Sequence, residues 1–355
     1  GEIFRALMMF RMARLWGSFP VITTIAQTIT SDNINEVYPT YYPPRKSPKE
    51  CYEQIIADLT DAEKYAPDND NSDRTKMTKT VAQAMLAKVY AEKEVQDYDK
   101  VITYADKVIK TTGVELEDSY ETLWGYDETT KDCLKRNTKE GILEVHWTTG
   151  GGNWETWMYG RQLDNWDYYF TWAKWITPSR DIINDFEKEG DEIRKNQAIV
   201  YYACTWSNYY PASNYPFMYK LRSSYSNIYW IRLADIILMK AEAEAYKGNL
   251  DESAKLVNQI RKRAKLKELT SDKTNSKEAM IEAVLHERRL ELAFEGERWF
   301  DLCRNNKVEK YLNGIDNRDK GRIKQVKLFD SNSYLLPIPQ TALDQNTNLV
   351  QNPGY

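Results

Sequence analysis

The apolar positions of the chain fall mostly at helical spacing. Residues 3–16, opening Ile3-Phe4-Arg5-Ala6-Leu7-Met8-Met9-Phe10, predict an amphipathic helix with no capping residue before it, closed by Gly17 and then Pro20. A Tyr/Pro-rich connector follows through Tyr38-Pro39 and Tyr41-Tyr42-Pro43-Pro44. Ser47 before Pro48 sets an N-cap and a first helical position, and that helix is expected to run to about Tyr65, ahead of Pro67. Two helices over 79–95 and 98–111 come next. The first carries Ala82, Leu86, Ala87 and Tyr90 on one face, the second Ile102, Ala105 and Ile109. Small residues where helices touch and a tyrosine where a gap is filled mark a tetratricopeptide-like hairpin. A second pair is predicted at 232–247 and 251–265, with Ala241, Ala245, Ala254 and Ile260 in comparable roles. Neither pair keeps the repeat spacing without a small offset, so helical repeats are expected and a regular solenoid is not.

Between the pairs the pattern changes. A short strand is predicted from Glu144-Val145-His146-Trp147, and it enters a stretch dense in Gly, Asn and aromatic rings. Six of the 11 tryptophans fall there, namely Trp147, Trp154, Trp157, Trp166, Trp172 and Trp175, and Gly150-Gly151-Gly152 breaks any helix. Thr177 is then expected to cap a helix with Pro178 in its first turn, ending near Glu189-Gly190. Long irregular segments set into a helical frame are commonly functional loops.

Composition sharpens this picture in one respect. The 355 residues hold 11 Trp and 25 Tyr against 9 Phe, so ring surface is supplied mainly by residues with a polar handle, suited to a surface that is dry on one side and wet on the other. The net charge of −4 is scattered and no basic patch tracks along the chain, which argues against a nucleic-acid partner. No apolar run approaches the ~18 residues needed to cross a bilayer. Cys51, Cys133, Cys204 and Cys303 are far apart and form no CxxC pair, so they read as buried thiols.

Motifs for chemistry are sparse. His286-Glu287 has Leu290 where a zinc-protease helix needs its second histidine, and His146 reads as a packed or edge residue. There is no Gly-x-Ser-x-Gly elbow and no phosphate loop. Asp164 with Asp167, or Asp181 with Asp185, are the available carboxylate pairs for glycoside hydrolysis. Asp181, Asp185, Glu187, Asp191 and Glu192 instead suggest a solvated acidic face. The run Asp68-Asn69-Asp70-Asn71-Ser72-Asp73 alternates oxygen ligands, yet it lacks the glycine of a calcium loop and places Lys79 where the bidentate Glu belongs. It is expected to be a turn. No cofactor, metal or catalytic residue is expected.

Sugars present apolar C–H faces and hydroxyl rims. Rings take the first and amides, guanidinium and carboxylate the second. The segment 153–172 offers both, and its candidate ligand-binding residues are Trp154, Trp157, Tyr159, Arg161, Asn165, Trp166, Tyr168 and Tyr169. Trp206, Tyr209, Tyr210 and Tyr215 form a second ring cluster that borders the same face or covers a loop.

Several blocks carry a family resemblance. RLADIILMKAEAEAYKGN at 232–249 with VNQIRKRA at 257–264, ERRLELAFEGERWFDLCR at 287–304 and LLPIPQTALDQNTNLVQNPGY at 335–355 resemble SusD/RagB proteins. So do TPSRDIINDFE at 177–187 with GDEIR at 190–194, and FRALMMFRMARLWGSFP at 4–20, all in the family's order. The 287–304 block reads as scaffold, because Arg288/Glu291, Glu295/Arg298, Arg298/Asp301 and Asp301/Arg304 stand three apart and can lace one helical face. Pro337, Pro339 and Pro353 are expected to hold the tail extended.

The resemblance implies a mostly α fold of tetratricopeptide-like pairs with an irregular, aromatic-rich insert containing a few short strands. On that reading 1–112 and 231–313 are helical frame, 113–230 bears the ligand and 314–355 is an extended tail, all one domain. It further implies a non-enzymatic, lipid-anchored protein of the outer-membrane surface. Such a protein captures oligosaccharide or polysaccharide and hands it to a SusC-like, TonB-dependent transporter. The family also carries a secretory signal, a lipid-bearing cysteine and an initial helical segment ahead of the block seen at residue 4. Peptide uptake is the alternative within the family, and an intracellular helical-repeat scaffold the alternative outside it.

Overall fold

The structure, a computed structural model, describes residues 1–130, 132–147, 177–203, 208–223, 225–319 and 324–355. Its longer helices are α1 (Glu2–Trp16), α2 (Pro48–Tyr65), α3 (Lys79–Ala91), α4 (Tyr98–Ile109), α5 (Arg180–Glu189), α6 (Glu192–Ala198), α7 (Leu233–Lys247), α8 (Leu250–Arg263), α9 (Lys277–Glu291) and α10 (Arg298–Arg304). Local sequence sets their starts. Ser47 closes a full capping box on α2, its hydroxyl accepting from the Glu50 N–H while the Glu50 carboxylate accepts from the Ser47 N–H. The cap of α5 is Ser179, which accepts from the Ile182 N–H at 3.3 Å, rather than Thr177, whose hydroxyl donates to Pro216 O at 2.8 Å.

The frame is a series of packed neighbours: α1 on α2, α2 on α3, α3 on α4, α4 on α7, and α7 on both α8 and α9. One apolar core runs through it from Ile3 to Leu285, with Ala82, Ala87, Ala241 and Ala245 fully buried where helices approach. Two expected contacts move by one position. The close approach of α8 to α7 uses Ser253, buried and donating to Ala241 O at 2.7 Å, while Ala254 is half-buried. The inner face of α4 is Val101, Tyr104, Ala105 and Val108, with Ile102 and Ile109 at its margins.

Strands are few and short. β1 (Tyr126–Asp127) pairs β2 (Asp132–Cys133), β3 (Gly141–Val145) pairs β6 (Ile228–Arg232), and β4 (Ile199–Tyr202) pairs β5 (Tyr215–Met218), all antiparallel. The β3–β6 ladder, Gly141 opposite Arg232 and Val145 opposite Ile228, joins the central region to the start of α7. The strand ends at Val145, and His146 lies just beyond it with Nε2 at 2.7 Å from Glu144 Oε2.

A buried charge network forms the interior on the α7–α10 side. Arg232 sits 2.7 Å from each of Glu140, Glu291 and Glu295. Arg263 and Arg194 reach Glu291 as well, at 2.6 and 3.2 Å. Burial pushes the Glu291 carboxyl upward, but Arg263, Arg232 and Arg194 outweigh it and hold it well below the carboxylate range. A second group joins Lys88, Asp235, Arg288, Asp301, Arg304 and Glu242.

This revises the helical-face reading of 287–304. The chain leaves the helix after Glu291, with Phe294 at φ 66° and Gly296 at φ 84° before α10. Of the four pairs three apart, Asp301–Arg304 forms the ion pair, at 2.9 Å. Arg288 instead meets Asp235 and Asp301, Glu295 meets Arg232 and Lys220, and Arg298 donates to Leu285 O over the Tyr311 ring. Asp191 likewise departs from the solvated face expected of it, being buried against Arg194 at 2.5 Å.

The tail folds back on α1. The Leu336 N–H donates to Leu15 O at 2.7 Å, and Asn352 Nδ2 donates to Trp16 O and Leu336 O. Gly17 permits this closeness, since a Cβ there would stand 2.8 Å from Leu335 and its φ is 73°. The tail is not extended throughout, because Ser331–Tyr334 and Gln340–Gln345 form helical turns.

Candidate functional site

The eight ring and polar residues expected to bind ligand, Trp154, Trp157, Tyr159, Arg161, Asn165, Trp166, Tyr168 and Tyr169, lie outside the described residues, as does Trp206. Of the second ring cluster, Tyr210 and Tyr215 belong to the core and Tyr209 lies at its margin. Tyr210 and Tyr215 are buried and edge-packed at 5.5 Å, and the Tyr210 hydroxyl donates to Pro178 O at 2.6 Å. Tyr209 packs edge-on against Tyr210, and the Arg180 guanidinium covers both rings.

Where the chain re-emerges, Thr177 and Pro178 form part of the wall of a cleft of about 430 Å³. Strand β6 supplies its ring surface through the two-residue alternation of a strand. Tyr229 and Ile231 turn inward and are buried, while Ile228 and Trp230 are half-buried on the other side. Trp230 lines the cleft and carries the Arg11 guanidinium 4.7 Å from its ring centre. Beneath it, Trp124 packs edge-on against Tyr229 at 5.0 Å, with the Lys220 ammonium 4.8 Å from the indole. Met218, Leu221 and Phe294 complete the apolar lining.

The charged lining residues are held from behind. Lys220 bonds Glu295 at 2.5 Å and Glu291 O at 3.0 Å, and burial lowers its pKa. Glu295 also accepts from Arg232, and Glu297 pairs with Lys88 at 3.2 Å and Arg14 at 3.3 Å. The turn that aims these carboxylates inward needs the positive φ at Gly296, where a side chain would meet nothing within 4 Å, so backbone conformation rather than space selects glycine. The cleft therefore offers ring surface and balanced charge. Sequence reading missed Trp124, Trp230 and Arg11. The run Ile228-Tyr229-Trp230-Ile231 marks a strand, but it is apolar at every position and so does not single out Trp230.

Asp164 and Asp167 lie outside the described residues, and the other candidate carboxylates and histidines are accounted for by pairing. Asp181 and Asp185 both bind Arg289, the first at 2.9 Å, so both carboxylates are engaged in a structural ion pair. His286 lies 3.2 Å from Glu189. The run 68–73 is a turn organised by the buried Arg74, which donates to Asn71 Oδ1 at 3.0 Å, to Gly113 O at 2.6 Å and to Asn69. Burial raises the Cys133 and Cys303 thiols to about 12, so both are protonated at neutral pH. Among the described residues no group of three or more His, Cys, Asp or Glu is placed to hold a metal ion, and no helix is long and apolar enough to cross a membrane.

Comparison with known proteins gives concordant matches. The SusD family model matches residues 139–355, and a model described as starch-binding associating with outer membrane matches residues 2–91. SusD-like protein P2 of Formosa agariphila is 27% identical over 386 residues, covering 99% of this chain and 72% of its own length. SusD-like protein P38 of the same organism is 26% identical with the same coverage. Among solved structures, a SusD superfamily protein from Parabacteroides distasonis superposes with TM-score 0.78 at 25% identity, over 100% of this chain and 77% of that one. A laminarin binding SusD-like protein superposes with TM-score 0.71 at 23% identity, over 100% and 77%.

Proposed function

The chain belongs to the SusD family, and on that premise we propose that it captures a neutral oligosaccharide or polysaccharide at the outer-membrane surface and passes it to a TonB-dependent transporter. The observation that carries the reading is the Trp230 cleft, which adjoins the point where the aromatic segment 148–176 rejoins the frame. An indole face fits the C–H face of a sugar ring, and the Arg11 guanidinium and the Glu295 and Glu297 carboxylates on the same wall suit its hydroxyls. The balance of Arg11 and Lys220 against Glu295 and Glu297 favours an uncharged ligand over a peptide terminus or an acidic sugar. In this reading Trp154, Trp157, Tyr159, Trp166, Tyr168 and Tyr169 extend the stacking surface, with Arg161 and Asn165 serving the hydroxyl rim. The laminarin binding relative supports a glycan ligand at the level of the family. Lipid anchoring at the cell surface and a single-domain organisation over 1–355 are part of the same proposal. Binding without chemistry suits the handover, since nothing is cleaved.

The test is affinity electrophoresis through gels containing a panel of neutral and acidic polysaccharides, with the Trp154→Ala/Trp157→Ala double variant alongside. The reading expects retardation by a neutral glycan, lost in the folded variant. Retardation by acidic glycans alone, or by none of the panel, contradicts it.

A further inference from the structure

We infer that Lys220 is the positioning residue of the cleft, its ammonium joining the acidic wall to the ring wall and so setting how tightly a glycan is held. The inference rests on the glycan reading above and adds to it the group that keeps the two walls in register.

Lys220 follows β5 and is buried. An ammonium has three N–H donors and no acceptor. Here it donates to the Glu295 carboxylate at 2.5 Å and to Glu291 O at 3.0 Å, and its charge lies 4.8 Å from the centre of the Trp124 indole. Glu291 is the last residue of α9, so its carbonyl is one that a helix cannot satisfy within itself, at the negative end of the helix. Lys220 therefore caps α9 and at the same time grips the turn beyond it.

The backbone of that turn gives the grip its consequence. Phe294 has φ 66° and Gly296 φ 84°, on either side of Glu295. Glycine adopts the left-handed region readily, whereas a bulky residue stays there only where its surroundings over-determine it. Phe294, Glu295 and Glu297 of this turn all line the cleft. On the other side the ammonium faces Trp124, which packs edge-on against Tyr229 at 5.0 Å, and Tyr229 precedes Trp230 on β6. One buried cation thus touches the turn that presents the carboxylates and the ring that backs the stacking surface.

Without the ammonium, Phe294 is released toward ordinary φ and Trp124 loses its cation, so both walls shift although no ring or carboxylate of the cleft is removed. Arg232 still holds Glu295 at 2.7 Å and Glu291 O at 2.8 Å, which leaves the turn one anchor when Lys220 is replaced. Loss of Lys220 is therefore felt at the cleft rather than across the frame.

The test compares the wild type with Lys220→Met, which keeps an unbranched stem without charge, and Lys220→Arg, which keeps a charge that burial does not remove. Each is titrated with the panel of neutral polysaccharides, and amide hydrogen exchange is measured on each without ligand. The expected result is affinity about tenfold or more weaker in Lys220→Met and within about threefold of the wild type in Lys220→Arg. Exchange in Lys220→Met quickens at 292–297 and 228–230 while α1–α4 keep their protection. A merely structural lysine would instead quicken exchange throughout the frame, and that result overturns the inference. Unchanged affinity in Lys220→Met overturns it too, as does Lys220→Arg binding as weakly as Lys220→Met. A wild type that binds none of the panel overturns the glycan reading itself, and the inference with it.

Discussion

The α7–α10 side of the frame and the wall of the Trp230 cleft differ in what they leave uncovered. In the frame, Arg232 is 1% exposed and surrounded by three carboxylates, and Arg288 and Arg304 are locked between acids on neighbouring helices. Such pairs add little net stability over an apolar core, but they penalise any packing that separates them. They fix which helix meets which. At the cleft, Trp230 keeps part of its ring uncovered above the buried Trp124 and Tyr229. The frame turns its charges on one another, and the wall beside it leaves ring surface open. The two regions meet at Glu291 and Glu295, which tie Arg232 on one side to Lys220 on the other.

The sharpest way to break the comparison is Arg232→Met. It leaves Glu140, Glu291 and Glu295 short of a counter-charge, and the expected loss is about 3–5 kcal/mol in urea unfolding. A loss below about 1 kcal/mol would contradict the role given to the network.

Next comes Glu92, a buried acid of this frame that forms no ion pair among the described residues. Burial raises its pKa to about 7, with Arg14 and Arg304 opposing. Its folded pKa thus exceeds the unfolded value of 4.5, so the folded state keeps a proton that the unfolded chain releases, and stability falls as pH rises between about 4.5 and 7. Glu92→Gln is expected to match the wild type at pH ~4 and to exceed it by up to about 3 kcal/mol at pH ~8. Equal melting profiles for the two at both pH values would contradict the assignment.

On the cleft side, Trp230→Ala is expected to weaken glycan binding about tenfold while the thermal midpoint shifts little, because the ring is half-buried. A large stability loss with unchanged affinity would make Trp230 frame rather than site. The smallest effect calibrates the rest. Ser47→Ala removes the capping box of α2 and is expected to cost about 1 kcal/mol without touching binding.

The helical frame was largely legible because its signals are local. Ser47-Pro48 with Glu50, and Gly190 after Glu189, mark helix ends within a few residues of the bonds they make. What was not legible depends on partners far along the chain. Arg288 and Glu291 look like a helical pair, but Arg288 turns to Asp235 and Glu291 to Arg232, more than fifty residues away. Equally, 287–304 reads as one helix because nothing but Gly296 announces the break, and Phe294 adopts positive φ against its own preference. Trp230 was hidden by company, since rings crowd 147–175 and a lone tryptophan on a strand draws no notice. The candidate residues within 153–172 rest on composition.

The most direct test of glycan capture is a double-mutant cycle by isothermal titration with the polysaccharide that retards the wild type. The cycle combines Trp230→Ala with Trp154→Ala/Trp157→Ala. One ligand spanning the cleft and the aromatic segment predicts that each change weakens binding about tenfold or more, and that the combined loss departs from the sum by at least about 0.5 kcal/mol. Undiminished affinity in Trp230→Ala, or losses that simply add, would contradict a single continuous site.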